Sequence, residues 1–384
     1  MKRYSGIDEE TVRAHGLVRE WTRSGLLDEA QGARLAGELR PDLKRTNHFL
    51  RAVLFLFTGI IVGASVLLVA DLFEIRDPET TAAICVIAAL LCLGLAELLT
   101  GRFRLYRFGA DEALVVAGVL LVVIAAVEWL ARGGNFKLMA VASLLIGAAG
   151  GLAAYCRYGF VYAGIAAIAC AATIPFQLDE SAVVQRLLAS AILIVVFVLM
   201  RVRHLRHGDD FPGDDHSIFQ SAAWAGLYVV LNLQITDAPI HGGWFYWTTY
   251  ALTWLLPIIG LSMSLRVRDR LMMDLSAAMA LTTLTTNKLY LGLQPQAWDP
   301  ILFGLFLMGT AIVIRRWLSS GTNGERSGFT PARILHKDSR LMTVVSTASA
   351  AFQPQTQTPQ SVPRATKPDF QGGRSGGAGA SGEF

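Results

Sequence analysis

The chain has 384 residues, 53% of them apolar and only 17% charged, with a formal net charge of +4. Soluble domains sit near about 45–50% apolar and about 25% charged, so this composition excludes an ordinary globular protein in water. The small positive excess needs no nucleic acid to explain it, because Lys and Arg held on the cytoplasmic side of a membrane would supply it.

Residues 1–47 predict a small cytosolic helical hairpin. Val12, Leu17, Val18 and Trp21 recur at helical spacing in a first helix that starts near Asp8 and ends at Gly25. Asp28 with Gln31 is a capping-box pattern for a second helix, with Ala30, Ala33, Ala36 and Leu39 along one side and Pro41 closing it. As a DNA-binding unit it would offer only Arg34 and Arg40 among acidic neighbours, so nucleic acid is not an expected partner. Packing on the membrane or on a partner protein is expected instead. Residues 1–45 contain no apolar signal-peptide core, so the first span is expected to direct insertion.

Residues 48–318 read as an all-α polytopic transmembrane bundle of about ten spans, each approaching the ~20 apolar residues that cross ~30 Å of hydrocarbon. The spans fall near 50–73, 80–100, 111–130, 137–156, 159–178, 182–200, 217–236, 245–265, 271–291 and 298–317, and a very short turn near Arg157 divides the fourth from the fifth. Arginines give the direction. Lys44, Arg45 and Arg51 precede the first span, and alternate loops then carry Arg102, Arg104 and Arg107; Arg157; Arg201, Arg203 and Arg206; and Arg266, Arg268 and Arg270. The other loops hold Arg76, Arg132 and Lys137 beside Asp77, Glu79, Asp179 and Glu180. The positive-inside rule therefore places both termini in the cytoplasm. Trp129, Trp244, Trp247 and Trp298 fall at the outer interface and Trp317 at the inner one. Residues 319–384 form a cytosolic tail. Residues 331–345 suit a short basic helix on the inner leaflet, and the Gly-, Pro-, Gln- and Ser-rich remainder cannot bury enough apolar surface to fold alone. Its carboxyl end at Phe384 is a candidate handle for a partner protein.

Ionisable and polar residues inside spans are costly and mark functional candidates. In the ninth span Asp274, Ala278, Thr285 and Lys288 fall on one narrow face, with Thr282, Thr286 and Asn287 nearby. Such a stripe is expected to line a solute path, with Lys288 meeting an anionic group. Glu128, Arg186, Asn232 and Gln234 lie in the outer halves of their spans and would join it as a vestibule, Glu128 pairing with Arg186 or Lys288. At the inner end Glu97 faces Arg102, Arg104 and Arg107, with Asp111 and Glu112 beyond, an ion-pair cluster expected to fix the hairpin between two spans. The loop after the sixth span gathers His204, His207, Asp209, Asp210 and His216, donors of the type that hold a divalent metal, though without a fixed tetrahedral spacing. Gly59-x-x-x-Gly63 and the fourth-residue series Ser143, Gly147 and Gly151 suit close helix packing, and Pro257 is expected to kink the eighth span. All four cysteines (Cys85, Cys92, Cys156 and Cys170) fall in or beside apolar stretches and read as packing residues. No nucleophile elbow, P-loop, zincin helix or dinucleotide fingerprint occurs, so no catalytic residue and no cofactor is expected.

The segment from Leu17 to Phe73, with its hairpin LVREWTRSGLLDEAQGARL, resembles a family of bacterial predicted inner-membrane proteins that begin with a short cytosolic helical hairpin and continue into many spans. The Trp21 helix, the turn at Gly25-Leu26-Leu27, the helix start around Gln31 and Ala33, and a glycine-containing first span carry the resemblance. The resemblance implies the plasma membrane of a bacterium and brings no activity or site residues. Two classes of function follow from the sequence: a membrane protein that transports a small solute, or a membrane scaffold or sensor that acts through its hairpin and tail. The lipid bilayer is the expected environment in both.

Overall fold

The computed structural model describes residues 6–39, 43, 46–75, 77–206, 215–236, 240, 242–267, 269–293, 296 and 298–320. Twelve α-helices run through these residues, and no strand occurs among them. The tail expected at 319–384 lies outside them beyond residue 320.

Helices α1 (Gly6–Arg23) and α2 (Glu29–Glu38) form the hairpin. Gly25 takes φ +77 to turn the chain. The Asp28 side chain accepts from the Gln31 amide at 2.6 Å while Gln31 Oε1 accepts from the Asp28 amide at 3.2 Å, which satisfies two donors at the helix start. Gly32 is buried against Thr22, where any Cβ would collide with the threonine side chain. The hairpin docks through Asp8, 3.8 Å from Arg104, and through an apolar contact of Val12 with Leu43 and Tyr106.

Ten further helices follow: α3 (His48–Leu72), α4 (Pro78–Gly101), α5 (Ala110–Ala131), α6 (Phe136–Tyr158), α7 (Val161–Thr173, continued by a 3-10 turn over Ile174–Gln177), α8 (Ala182–Arg206), α9 (Asp215–Leu231), α10 (Gly243–Val267), α11 (Arg270–Tyr290) and α12 (Asp299–Ser319). Each expected span therefore coincides with a helix. Among the described residues, six of them (α3, α4, α5, α6, α8 and α10) are long and apolar enough to cross a membrane. Helix α7 with its 3-10 extension and the 17-residue α9 are shorter, and α11 carries Asp274, Lys288 and a threonine run. The short turn near Arg157 is a true reversal. Gly159 caps α6 in the left-handed conformation at φ +73, and α7 runs back along α6, its Ala163 and Ala167 meeting Gly151 and its Cys170 meeting Gly147.

Small residues decide which faces are buried. Ala82, Cys85, Ala89, Cys92 and Ala96 repeat every three or four positions on α4 and let α5 approach closely, with Gly118 set against Leu93 and the Ala89 carbonyl. The large apolar side chains point outward instead, among them Leu56, Ile60, Leu67, Leu90, Leu91, Leu145 and Ile258. A surface of this kind is insoluble in water and matched to lipid. A second core joins Ala189, Leu193 and Phe197 of α8 to Ala223, Trp224 and Leu227 of α9 and to Met272 and Met279 of α11.

One end of the bundle is stitched by charge. Arg51 of α3 donates Nε to Glu112 of α5 at 2.7 Å, and its Nη2 makes a second bond to the same carboxylate. Glu97 accepts from Arg157 at 2.8 and 3.1 Å and from the Tyr158 hydroxyl at 2.9 Å. Of the arginines expected around Glu97, Arg104 lies 3.8 Å from Asp8 and Arg107 donates to the Gly159 carbonyl at 3.0 Å. Tyr155 meets Phe219 edge to face at 4.7 Å, so the start of α9 belongs to this same basic end. At the opposite end each of three cations has an acid beside it: Arg132 with Glu79, Lys137 with Asp179, and Lys288 with Asp299.

Candidate functional site: a buried polar seam

Every fourth residue of α9 and its C-terminal extension is polar or carries a polar tip: Gln220, Trp224, Tyr228 and Asn232. At ~3.6 residues per turn these positions lie on one slowly drifting face, and all four are buried. Opposite them α10 presents Tyr246, Thr249, Thr253, Gly260 and Ser264, and α11 presents Ser276, Thr283, Thr286 and Tyr290, all buried or lacking a side chain. Small hydroxyls suit this interior because they bond back to their own helices: Thr249 to the Tyr246 carbonyl, Thr253 to that of Tyr250 and Ser276 to that of Met272, at 2.7–2.8 Å.

Between helices the bonds form a directed chain. Asn232 Nδ2 donates to the Tyr228 hydroxyl and to Thr286 Oγ1, both at 3.2 Å. Tyr228 stands 2.8 Å from Thr283 Oγ1, which lies 2.8 Å from the Thr253 carbonyl. That carbonyl has lost its ordinary helical donor, because the residue four positions on is Pro257. Thr283 of α11 supplies the missing bond, so the proline of α10 is repaired by a neighbouring helix. Nearer the end away from the arginines, the Tyr290 hydroxyl accepts from the Leu233 amide at 2.7 Å, Tyr246 donates to the Tyr290 carbonyl at 2.8 Å, and Tyr250 donates to Asn287 Oδ1 at 2.7 Å. Arg186 of α8 is buried beside this cluster, bonded to the Val230 carbonyl and to Thr236 Oγ1 and lying over the Phe176 ring.

The expected site residues divide. Arg186, Asn232, Gln234 and Asn287 are drawn into the seam or its rim. Asp274 and Thr285 lie on the exposed face of α11, away from the buried face carried by Ser276, Thr283 and Thr286. Thr282, half-buried, bonds its own helix at the Ala278 carbonyl. Lys288 pairs with Asp299 under the Trp298 ring, and Arg186 is held by a carbonyl and a hydroxyl, so neither pairs with Glu128, which stands half-buried on α5. His204 lies 4.0 Å from Asp269, whose carboxylate accepts from Ser217 at 2.6 Å. His207, Asp209 and Asp210 lie outside the described residues, and among the described ones no group of three His, Cys, Asp or Glu side chains is placed to hold a metal, His216 included. Gly147 and Gly151 pack on α7, and Ser143 bonds the Met139 carbonyl. No atom lies within 4 Å of where a Cβ would stand on Gly59 or Gly63.

Gln220, Tyr228, Thr253 and Thr283 are seam residues that the stripe on α11 did not point to. The fourth-residue spacing of Gln220, Trp224, Tyr228 and Asn232 is the signal that marks them. Among the described residues the architecture is an all-helical bundle with six helices long and apolar enough to cross a membrane. Comparison with protein-family models, curated proteins and solved structures gave no match to this chain.

Proposed function

We propose that this chain is a multi-pass membrane protein, with α3 to α12 as about ten spans, whose seam between α9, α10 and α11 conducts a small polar solute. The observation that carries this reading is the length of the seam. From Gln220 to Asn232 it covers twelve residue steps, about 18 Å at ~1.5 Å per residue, against a hydrocarbon thickness of ~30 Å. Polar groups along most of a membrane's depth, turned away from lipid, are what a permeating solute requires. The basic end, with Arg51, Arg104, Arg107 and Arg157, supports a cytoplasmic placement of that face, and the hairpin resemblance supports a bacterial plasma membrane. The reading is tested by reconstituting the full chain in phospholipid vesicles and following glycerol and acetamide entry by stopped-flow light scattering. Entry faster than into protein-free vesicles, slowed by Asn232→Leu, is expected. Vesicles as tight as protein-free ones refute it. A reporter fused after Trp317 tests sidedness, and a periplasmic signal overturns the even span count.

A second reading, a scaffold or sensor, is favoured by one contact. The hairpin is held against the α4–α5 loop by Asp8–Arg104 and by Val12 on Tyr106, which would pass a partner's pull on the hairpin to two spans.

A further inference from the structure

At the level of Gln220 the seam changes character. Gln220 is 0% exposed, yet neither its Nε2 nor its Oε1 has a hydrogen-bond partner among the described residues. Trp224, 7% exposed, likewise leaves its Nε1–H unbonded, as does Arg201 one of its guanidinium nitrogens. The three side chains belong to one layer. Gln220 and Trp224 are one turn apart on α9. Helices α8 and α9 run antiparallel in a steady register, with Arg186 bonded to Val230, Leu193 beside Gly226 and Phe197 against the Trp224 ring at 4.7 Å. One further turn brings Arg201 level with Gln220. On the α10 side Gly260 offers only backbone, since a Cβ there would stand 2.8 Å from Trp224 Nε1 and closer still to Ser276 Oγ.

We infer that the Arg201–Gln220–Trp224 layer is a binding station for a small uncharged solute that carries both a hydrogen-bond donor and an acceptor, an amide or a short polyol. Two N–H donors on α9 and one on α8 suit a carbonyl or hydroxyl oxygen, and Gln220 Oε1 suits the solute's own donor. Asp269 lies within electrostatic reach of Arg201, so an anion at this layer would meet a carboxylate as well as the guanidinium, which favours an uncharged solute. Burying a whole amide without a partner is costly in a core and more so within lipid, where water cannot compensate. An apolar side chain of the same volume would be the stable choice at position 220, so the amide has a use other than stability.

The station rests on the seam reading but is tested separately from it. Gln220→Met keeps the volume and removes both poles. The full chain and this variant are compared in vesicles for glycerol and acetamide entry, and in detergent for thermal stability and for acetamide binding by saturation-transfer NMR. Loss of one ordinary hydrogen bond weakens occupancy about fivefold, so entry and the NMR signal are expected to fall at least that far while the melting temperature holds or rises. Wild-type entry retained in full by Gln220→Met overturns the station and leaves the seam standing. Should wild-type vesicles be tight, the seam reading falls, and the NMR signal alone decides the station: lost in the variant it supports it, equal in both it overturns it. Gln220→Leu, which likewise carries neither pole, repeats the comparison should Gln220→Met fail to fold.

Discussion

The attachment of α3 offers a quantitative test of the packing argument. No residue in the apolar window of this helix is fully buried, whereas α4 and α5 bury 28% and 33% of theirs. Its anchor is the two-bond ion pair from Arg51 to Glu112, whose side chains are 27% and 4% exposed. That asymmetry predicts unequal costs. Arg51→Met leaves a carboxylate enclosed and uncompensated, which costs about 3–5 kcal/mol. Glu112→Met leaves a guanidinium that still reaches the headgroup layer, and costs about 1–2 kcal/mol. The double variant removes both charges and should return to within about 1 kcal/mol of the wild type, because an apolar pair of similar volume replaces a buried ion pair at little net loss. The assay is a double-mutant cycle on SDS-induced unfolding in mixed micelles, read by far-UV circular dichroism. Equal single costs, or a double variant as damaged as the sum of the singles, would refute the reasoning.

Three further expectations follow from particular contacts. Gly151→Ala places a methyl 2.7 Å from the Ala163 carbonyl and should destabilise by about 1–3 kcal/mol through overpacking, while Gly59→Ala meets no atom within 4 Å and should be neutral or up to ~1 kcal/mol stabilising; thermal unfolding of the two purified variants separates these outcomes. Asn232→Leu breaks the bonds to Tyr228 and Thr286 and leaves the amides of Gln234 and Ile235 without their acceptor, a loss of about 2–4 kcal/mol from net bonding and unsatisfied groups, measurable by the same SDS titration. Asp77 caps α4, and the hydroxyl and amide of Thr80 hold its carboxyl below the usual carboxylate range. A depressed native pKa gives stabilisation that is complete above the unfolded-state value, near about 4, and is lost as pH falls through the native one. The Thr80 amide resonance should therefore stay fixed down to about pH 4 and move only on stronger acidification.

Helix positions were legible because the apolar runs and their caps are local properties. Asp28 with Gln31, Asn47, Asp77 and Asn135 all cap helices through their own side chains. The partners were not legible. Glu97 sits five residues before Arg102 in sequence, yet it reaches Arg157 because α6 ends beside α4 in space. The same holds for the seam. On α11 the charged positions drew attention, but Lys288 satisfies its charge with Asp299, and Asp274 lies on the exposed face. The buried face instead carries uncharged hydroxyls, which bond their own helix and so leave almost no mark on hydropathy. Pro257 is legible in the sequence as a lost backbone bond, but the hydroxyl that takes the orphaned Thr253 carbonyl comes from a residue 30 positions away, and only the packed helices reveal it.

The ion pair between Arg51 and Glu112 joins residues 61 apart in the chain, and this sets an order of assembly. Helix α3 is synthesised first of the spans, but the face it rests on belongs to α5. Its guanidinium therefore lacks this carboxylate until two more helices have been made. The ion pair is thus a latch that closes only once the α4–α5 hairpin is complete.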